Sequence, residues 1–159
     1  MKIIKKLLLL LLVCSITLPL TACGEKNVEG TLEEIMTTIY EDIPTDEMPM
    51  LGNINVLEDA SDNIPYYIGT KDIEYEEILA SEPMMSSVAY SVVLVRMKDG
   101  ADIEKAKTEL KENIDPRKWM CVEVPEEDVI VKNKGDLIIL IMVADENTRN
   151  KIEEGFDNL

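Results

Sequence analysis

The sequence predicts an α+β fold in which an antiparallel sheet of about four strands is covered by helices. Two apolar runs rich in β-branched residues, 88–97 and 137–144, are typical of interior strands. Segments with the helical spacing of apolar residues precede the first run, separate the two runs and follow the second. Strands adjacent in the chain favour antiparallel pairing, so we expect an antiparallel sheet. We expect the helices to cover one face of that sheet.

The first helix is predicted over residues 32–41. Thr31 and Glu34 fit a capping box, in which each side chain accepts from a backbone N–H at the start of the helix. Pro44 ends the helix. Residues 44–64 contain two prolines and a glycine among scattered acids, so we expect a long loop or irregular region there.

Residues 65–82 fit two interpretations. Ile73, Tyr75 and Leu79 can alternate along a strand, whereas Asp72 can cap a short helix. A strand over 74–80 is favoured, because a hairpin with the next segment would follow naturally. That next segment, 88–97, is apolar on both faces, which predicts a central strand covered on both sides.

The second half of the chain predicts a helix, a hairpin and a last helix. The helix spans 101–114 and carries an apolar stripe that includes Leu110. Strands 129–132 and 137–144 are joined through the turn at 133–136, and Asp145 then caps a helix to about residue 156. Since 137–144 is apolar throughout, helix 101–114 is expected on one face and another layer or a partner on the other.

The N-terminus has the three parts of a bacterial lipoprotein signal. Three lysines precede an apolar run that is too short to span a bilayer, for which about 20 residues are needed. Leu20-Thr21-Ala22-Cys23 then resembles a lipobox. We therefore expect cleavage after residue 22, lipidation of Cys23, a tether over 23–29 and a single α+β domain over 30–159. The expected location is the cell membrane, with the domain lipid-anchored outside the cytoplasm.

Charge and composition exclude several classes of function. Loss of Lys2, Lys5 and Lys6 with the signal leaves 13 basic and 32 acidic residues, a net charge of −19. Nucleic acid binding needs a basic surface, so no nucleic acid partner is expected. The chain has no histidine, which removes His-based nucleophile pairs and His-rich zinc sites. After acylation of Cys23, Cys121 is the one thiol left, so no internal disulfide is expected.

Three stretches, YSVVLVRMKDG at 90–100, ENIDPRKWMCV at 112–122 and VIVKNKGDLIILIM at 129–142, add a resemblance. With the lipobox they resemble a family of small lipoproteins of Gram-positive, mostly anaerobic bacteria that is built around a domain of unknown function. The likeness covers most of residues 30–159 and rests on strands and turns. It implies fold and location, and it carries over no active-site residues.

Carboxylate chemistry is the first candidate activity. Glu74, Glu76 and Glu77 form one acidic cluster, but these side chains lie in a stretch expected to be exposed, which favours solvated charge. The cluster 126–128 has the same interpretation. Residues 59–63 faintly resemble a calcium loop, but Ile64 stands where that loop needs glycine.

Sulfur and hydroxyl groups are the remaining candidates. Met48, Met50, Met84 and Met85 suit a soft copper(I) site, although methionine more often fills apolar gaps. Cys121 beside Trp119 is either a reactive thiol or, as we favour, a buried and inert one. The serines at 86, 87 and 91 have no nucleophile-elbow or Ser-x-x-Lys spacing.

The sequence thus predicts no catalytic, cofactor-binding or metal-binding residues. It favours a membrane-anchored extracytoplasmic binding or interaction module without catalysis, for which an envelope protein is a candidate partner. The alternative is a cell-envelope hydrolase that uses carboxylates or a metal.

Overall fold

The computed structural model of the protein describes residues 26–159. The predicted signal segment and Cys23 lie outside this range. The helices are α1 (Leu32–Ile39), α2 (Val56–Asp59), α3 (Ile64–Ile68), α4 (Ile103–Asn113) and α5 (Glu146–Asp157). The strands are β1 (Leu51–Asn55), β2 (Tyr75–Pro83), β3 (Tyr90–Met97), β4 (Ile130–Lys134) and β5 (Leu137–Val143). Single 3₁₀ turns lie at Ser61–Asn63 and Glu126–Asp128.

The five strands form one antiparallel sheet in the order β1-β2-β3-β5-β4. The α+β prediction is confirmed, with one strand more than expected. β3 is the middle strand, and its partners run beside it along most of its length: Ser81 lies opposite Val92, and Leu140 lies opposite Val93. The predicted strand over 74–80 is also confirmed by β2, so the helix that Asp72 would cap does not form.

Helices cover both faces of the sheet. The expectation that helices lie on one face was therefore wrong, whereas the second layer expected from the apolar run 137–144 is present. One face packs Val93, Val95 and Leu140 against α3 and α4. The other packs Val92, Leu94 and Ile139 against α1 and α5. Because adjacent residues of a strand point to opposite faces, an entirely apolar strand such as β5 needs both layers, and all seven of its residues are buried.

The cap predictions hold. Thr31 and Glu34 form the predicted capping box at the start of α1, and Asp145 accepts from the Thr148 backbone N–H at the start of α5. The expected irregular region at 44–64 was wrong, because it contains β1 and α2. β1 has the short, Gly- and Asn-rich sequence LGNIN, and its register with β2 gives it the strand form. Within residues 26–159, none of the helices has the length and apolar character that a membrane-spanning helix needs.

Candidate functional site

Exposed methionines collect at one end of the sheet. Among the described residues, Met50, Met84, Met85 and Met120 have exposed fractions of 73%, 70%, 62% and 65%. We call these four residues the methionine rim. Each is large, flexible and apolar, so their exposure leaves hydrocarbon and sulfur in contact with water.

Main-chain hydrogen bonds join the three segments that carry the rim. Met50 precedes β1, and Met84 directly follows β2; the Met84 backbone N–H donates to the Met50 carbonyl oxygen at 3.0 Å. Met120 comes from the long segment between α4 and β4, and its N–H donates to the Ser86 carbonyl at 2.7 Å. Hydrogen bonds between segments distant in the chain therefore bring the four methionines to one end of the sheet.

The favoured interpretation of these methionines as packing residues was wrong for Met50, Met84 and Met85. Met48 alone of the predicted set packs against a core cluster, and it is only partly buried. The other three lie in connecting segments, where no helical or strand periodicity indicates which side chains face inward. The copper(I) alternative stays a prediction.

Cys121 follows the rim residue Met120 and is exposed, so its expected burial was wrong. Its backbone φ is +62°, a left-handed conformation that non-glycine residues seldom adopt. Cys121 lies in the irregular segment before β4, where no strand or helix periodicity directs its side chain inward. Its neighbour Trp119 points inward and is buried.

A buried ion pair joins Glu82 and Lys118, which stand two positions before the rim residues Met84 and Met120. The Lys118 ammonium donates to Glu82 Oε1 at 2.8 Å and to Ser91 Oγ at 3.1 Å, and the Ser91 hydroxyl donates to the same carboxylate oxygen at 2.5 Å. The side chains of Lys118 and Glu82 are only 3% and 9% exposed. No spacing in the sequence indicated this cluster, because its three members come from β2, β3 and the α4–β4 segment.

Aromatic rings complete the surroundings of the Lys118 ammonium. It lies 4.5 Å from the centre of the Tyr66 ring, 5.7 Å from that of Tyr67 and 5.4 Å from that of Trp119. Such cation–π contacts are strongest where water is excluded. Burial lowers the pKa of Lys118, and the Glu82 carboxylate opposes that shift.

A serine beside a lysine whose pKa is lowered has the chemistry of a nucleophile beside a base. Ser91, however, has an exposed fraction of 0%, and its hydroxyl proton is directed at Glu82. A substrate has no access to this oxygen in the observed fold. The cluster instead holds the segment that carries Trp119 and Met120 against the ends of β2 and β3.

A second polar cluster lies on the opposite face of the same end of the sheet. It consists of the hydroxyl groups of Tyr40, Ser81 and Tyr90, which are buried and make no hydrogen bond of regular geometry. The hydroxyls of Ser81 and Tyr90 lie near that of Tyr40 and lower its pKa. Burial outweighs them and raises the pKa of Tyr40 to about 12.

The acidic candidates lie away from the rim. Glu74, Glu76 and Glu77 are exposed, as the solvated interpretation predicted. In the cluster 126–128, Asp128 pairs with Arg149 at 3.1 Å. Asp59 of the weak calcium motif accepts from the Asn55 backbone N–H. Residues 26–159 contain no grouping of three or more His, Cys, Asp or Glu side chains that could hold a metal ion.

No family model, curated protein or solved structure matches this chain. The resemblance to small Gram-positive lipoproteins therefore stays a prediction.

Proposed function

We propose that the protein is a lipid-anchored extracytoplasmic binding module that holds an envelope protein partner through the methionine rim, without catalysis. The signal-like segment 1–22 and Cys23 support the anchor and the location at the outer side of the cell membrane. The family resemblance agrees with that location.

The exposure of the rim is the observation that carries the proposal. The domain buries nearly all of its other large apolar side chains in two clusters, one on each face of the sheet. A concentration of exposed apolar groups on such a domain is typical of a protein interaction site. Methionine suits this role because its unbranched side chain adapts to the shape of a partner.

The acidic segment that leads to the rim residue Met50 indicates the chemistry of the partner. Glu41, Asp42, Asp46 and Glu47 are exposed in the segment that leads to Met50. Of these acids, Glu47 pairs with Lys151 at 2.6 Å. Exposed apolar side chains next to an acidic segment complement a protein segment with apolar side chains flanked by lysine or arginine. The same acidity disfavours nucleic acid.

The alternative, a cell-envelope hydrolase, has its best candidate residues in Ser91, Lys118 and Glu82. Their burial favours a structural role, and no further observation on the described residues favours hydrolysis.

The test is crosslinking in intact cells. The full chain, Cys23→Ala and the triple variant Met50→Gln/Met84→Gln/Met120→Gln are compared with a matched control in which the same three methionines become leucine. The control keeps the apolar character. We expect Cys23→Ala to leave the membrane fraction, and the Gln variant to lose the partner that the control retains.

Titrations with two peptides test the charge that the partner is expected to carry. Synthetic peptides with one apolar sequence and either lysine or glutamate flanks are titrated onto the protein. The protein should bind the basic peptide with an affinity at least about tenfold higher than that for the acidic peptide. The Gln variant should lose binding of the basic peptide. Equal binding of both peptides, or equal crosslinking by the Gln and Leu variants, would contradict the proposal.

A further inference from the structure

The segment next to the lipidation site is docked onto the domain. The Arg96 guanidinium donates to the carbonyl oxygens of Val28 at 3.0 Å and Gly30 at 2.9 Å. Val28 also packs, partly buried, against the core cluster between the sheet and α1 and α5. Residues 26–29, expected as part of a tether, thus follow the surface of the domain.

A close backbone contact brings the start of this segment to the β4–β5 turn. Gly135 in that turn has φ +58°, and a Cβ placed on it would lie 2.8 Å from Asn27 Oδ1 and 2.9 Å from the Lys26 carbonyl oxygen. Only glycine leaves room for this approach. Two residues, Gly24 and Glu25, separate Lys26 from Cys23. The three Cα–Cα steps from Cys23 to Lys26 span at most about 11 Å when the chain is fully extended.

The rim lies at the far end of the sheet from this contact. The Met97 N–H, at the end of β3, donates to the Asp136 carbonyl beside Gly135 at 2.9 Å. Tyr90, at the other end of β3, lies at the end of the sheet where β2 finishes. The rim residue Met84 follows directly after β2. An eight-residue strand at about 3.4 Å per residue separates the two ends by roughly 24 Å.

From this geometry we infer that the end of the sheet formed by Lys98 and Gly135 faces the lipid bilayer, and that the methionine rim is held away from the membrane. We call the former end the anchor end. The inference rests on the proposed lipid anchor at Cys23. It adds an orientation that a flexible tether would not impose, since the docked segment leaves only a short stretch of chain to the lipid.

Cys121 offers a natural probe, because it is exposed and adjacent to the rim. Lipidated full chain is reconstituted into phosphatidylcholine–phosphatidylglycerol vesicles that contain a headgroup-labelled acceptor lipid. A donor dye is placed on Cys121, or at the anchor end in Cys121→Ser/Lys98→Cys. Energy transfer should place the Lys98→Cys dye about 20 Å closer to the lipid surface.

Two variants test the cause of the orientation. Arg96→Met removes both hydrogen bonds to the segment, and insertion of about 20 Gly/Ser residues between 25 and 26 gives a coil roughly 25 Å across. Both should reduce the difference between the two dye positions. Arg117→Met, an exposed arginine, is the matched control and should leave it unchanged.

The outcomes separate the orientation from the anchor. Failure of the protein to float with the vesicles would overturn the proposed anchor. Flotation with equal energy transfer from both positions would overturn the orientation alone. A difference that survives in both Arg96→Met and the insertion variant would overturn the role given to the docked segment.

Discussion

Replacement of Lys118 by methionine tests how much the buried ion pair with Glu82 contributes to the stability of the fold. Methionine keeps an unbranched apolar side chain of similar length but removes the ammonium. Glu82 then loses its charged partner at 2.8 Å and retains the Ser91 hydroxyl. The contacts of the ammonium with three aromatic rings are lost as well.

The expected cost follows from the burial of the remaining carboxylate. Removal of one partner of a buried pair typically destabilises a protein by about 3–5 kcal/mol. Because Glu82 keeps one hydrogen-bond donor, we expect the lower end, about 3 kcal/mol, which is more than about a hundredfold in the folding equilibrium. That is a large share of a stability of about 5–15 kcal/mol.

Urea denaturation of the wild type, Lys118→Met and Lys118→Met/Glu82→Met measures this cost. The double variant leaves no buried charge in the pair, so it should recover much of the loss. Arg117→Met is the control, because that neighbouring side chain is 70% exposed. A loss below about 1 kcal/mol for Lys118→Met, or a double variant as unstable as the single one, would refute the reasoning.

Three other predictions concern the core, the buried tyrosine and the free thiol. Leu140→Ala and Leu110→Ala, at fully buried positions of one cluster, should each cost about 2–5 kcal/mol in denaturation experiments. Glu112→Ala, on the exposed side of α4, should change little. A cost below about 1 kcal/mol for Leu140→Ala would contradict the interior position of β5 in the sheet. Burial raises the pKa of Tyr40 from 10.0 to about 12, so its contribution to stability, about 3 kcal/mol at most, is complete below pH 10 and is lost as the pH rises towards 12. Phenolate absorbance should show the native tyrosine ionising later than in urea, and an unchanged titration of Tyr40→Phe would oppose this. Cys121 should react fully with a maleimide without denaturant, and the thermal midpoint should not depend on reductant; protection of the thiol in the folded protein would contradict its exposure.

The helices and strands that are marked by patterns among neighbouring residues were predicted correctly. The capping box of Thr31 and Glu34, the Asp145 cap and the valine-rich run of β3 each depend on residues close in the chain, so a pattern predicts them. β1 had no such signal. Its five residues are a strand because β2 supplies the hydrogen-bonding partner, and the sequence of one segment does not contain that information.

The candidate site was the least predictable part. The sequence predicted Met50, Met84 and Met85 as packing residues, and no pattern in it pointed to Met120. The Lys118 cluster was missed because its members are 9 and 27 residues apart along the chain. A charged side chain is ordinarily assigned to the surface, and only the convergence of three segments supplies the partners that allow its burial.

The sequence by itself determined the α+β class, the helix caps, the interior strands and an acidic chain with a single thiol among its described residues. These properties follow from composition and from contacts between near neighbours, which the order of residues specifies directly. The tertiary structure decided which face each helix covers, which methionines meet water, and how Arg96 fixes the segment after Cys23 to the domain. Those features depend on contacts between residues far apart in the chain, and such contacts exist only once the sheet has assembled.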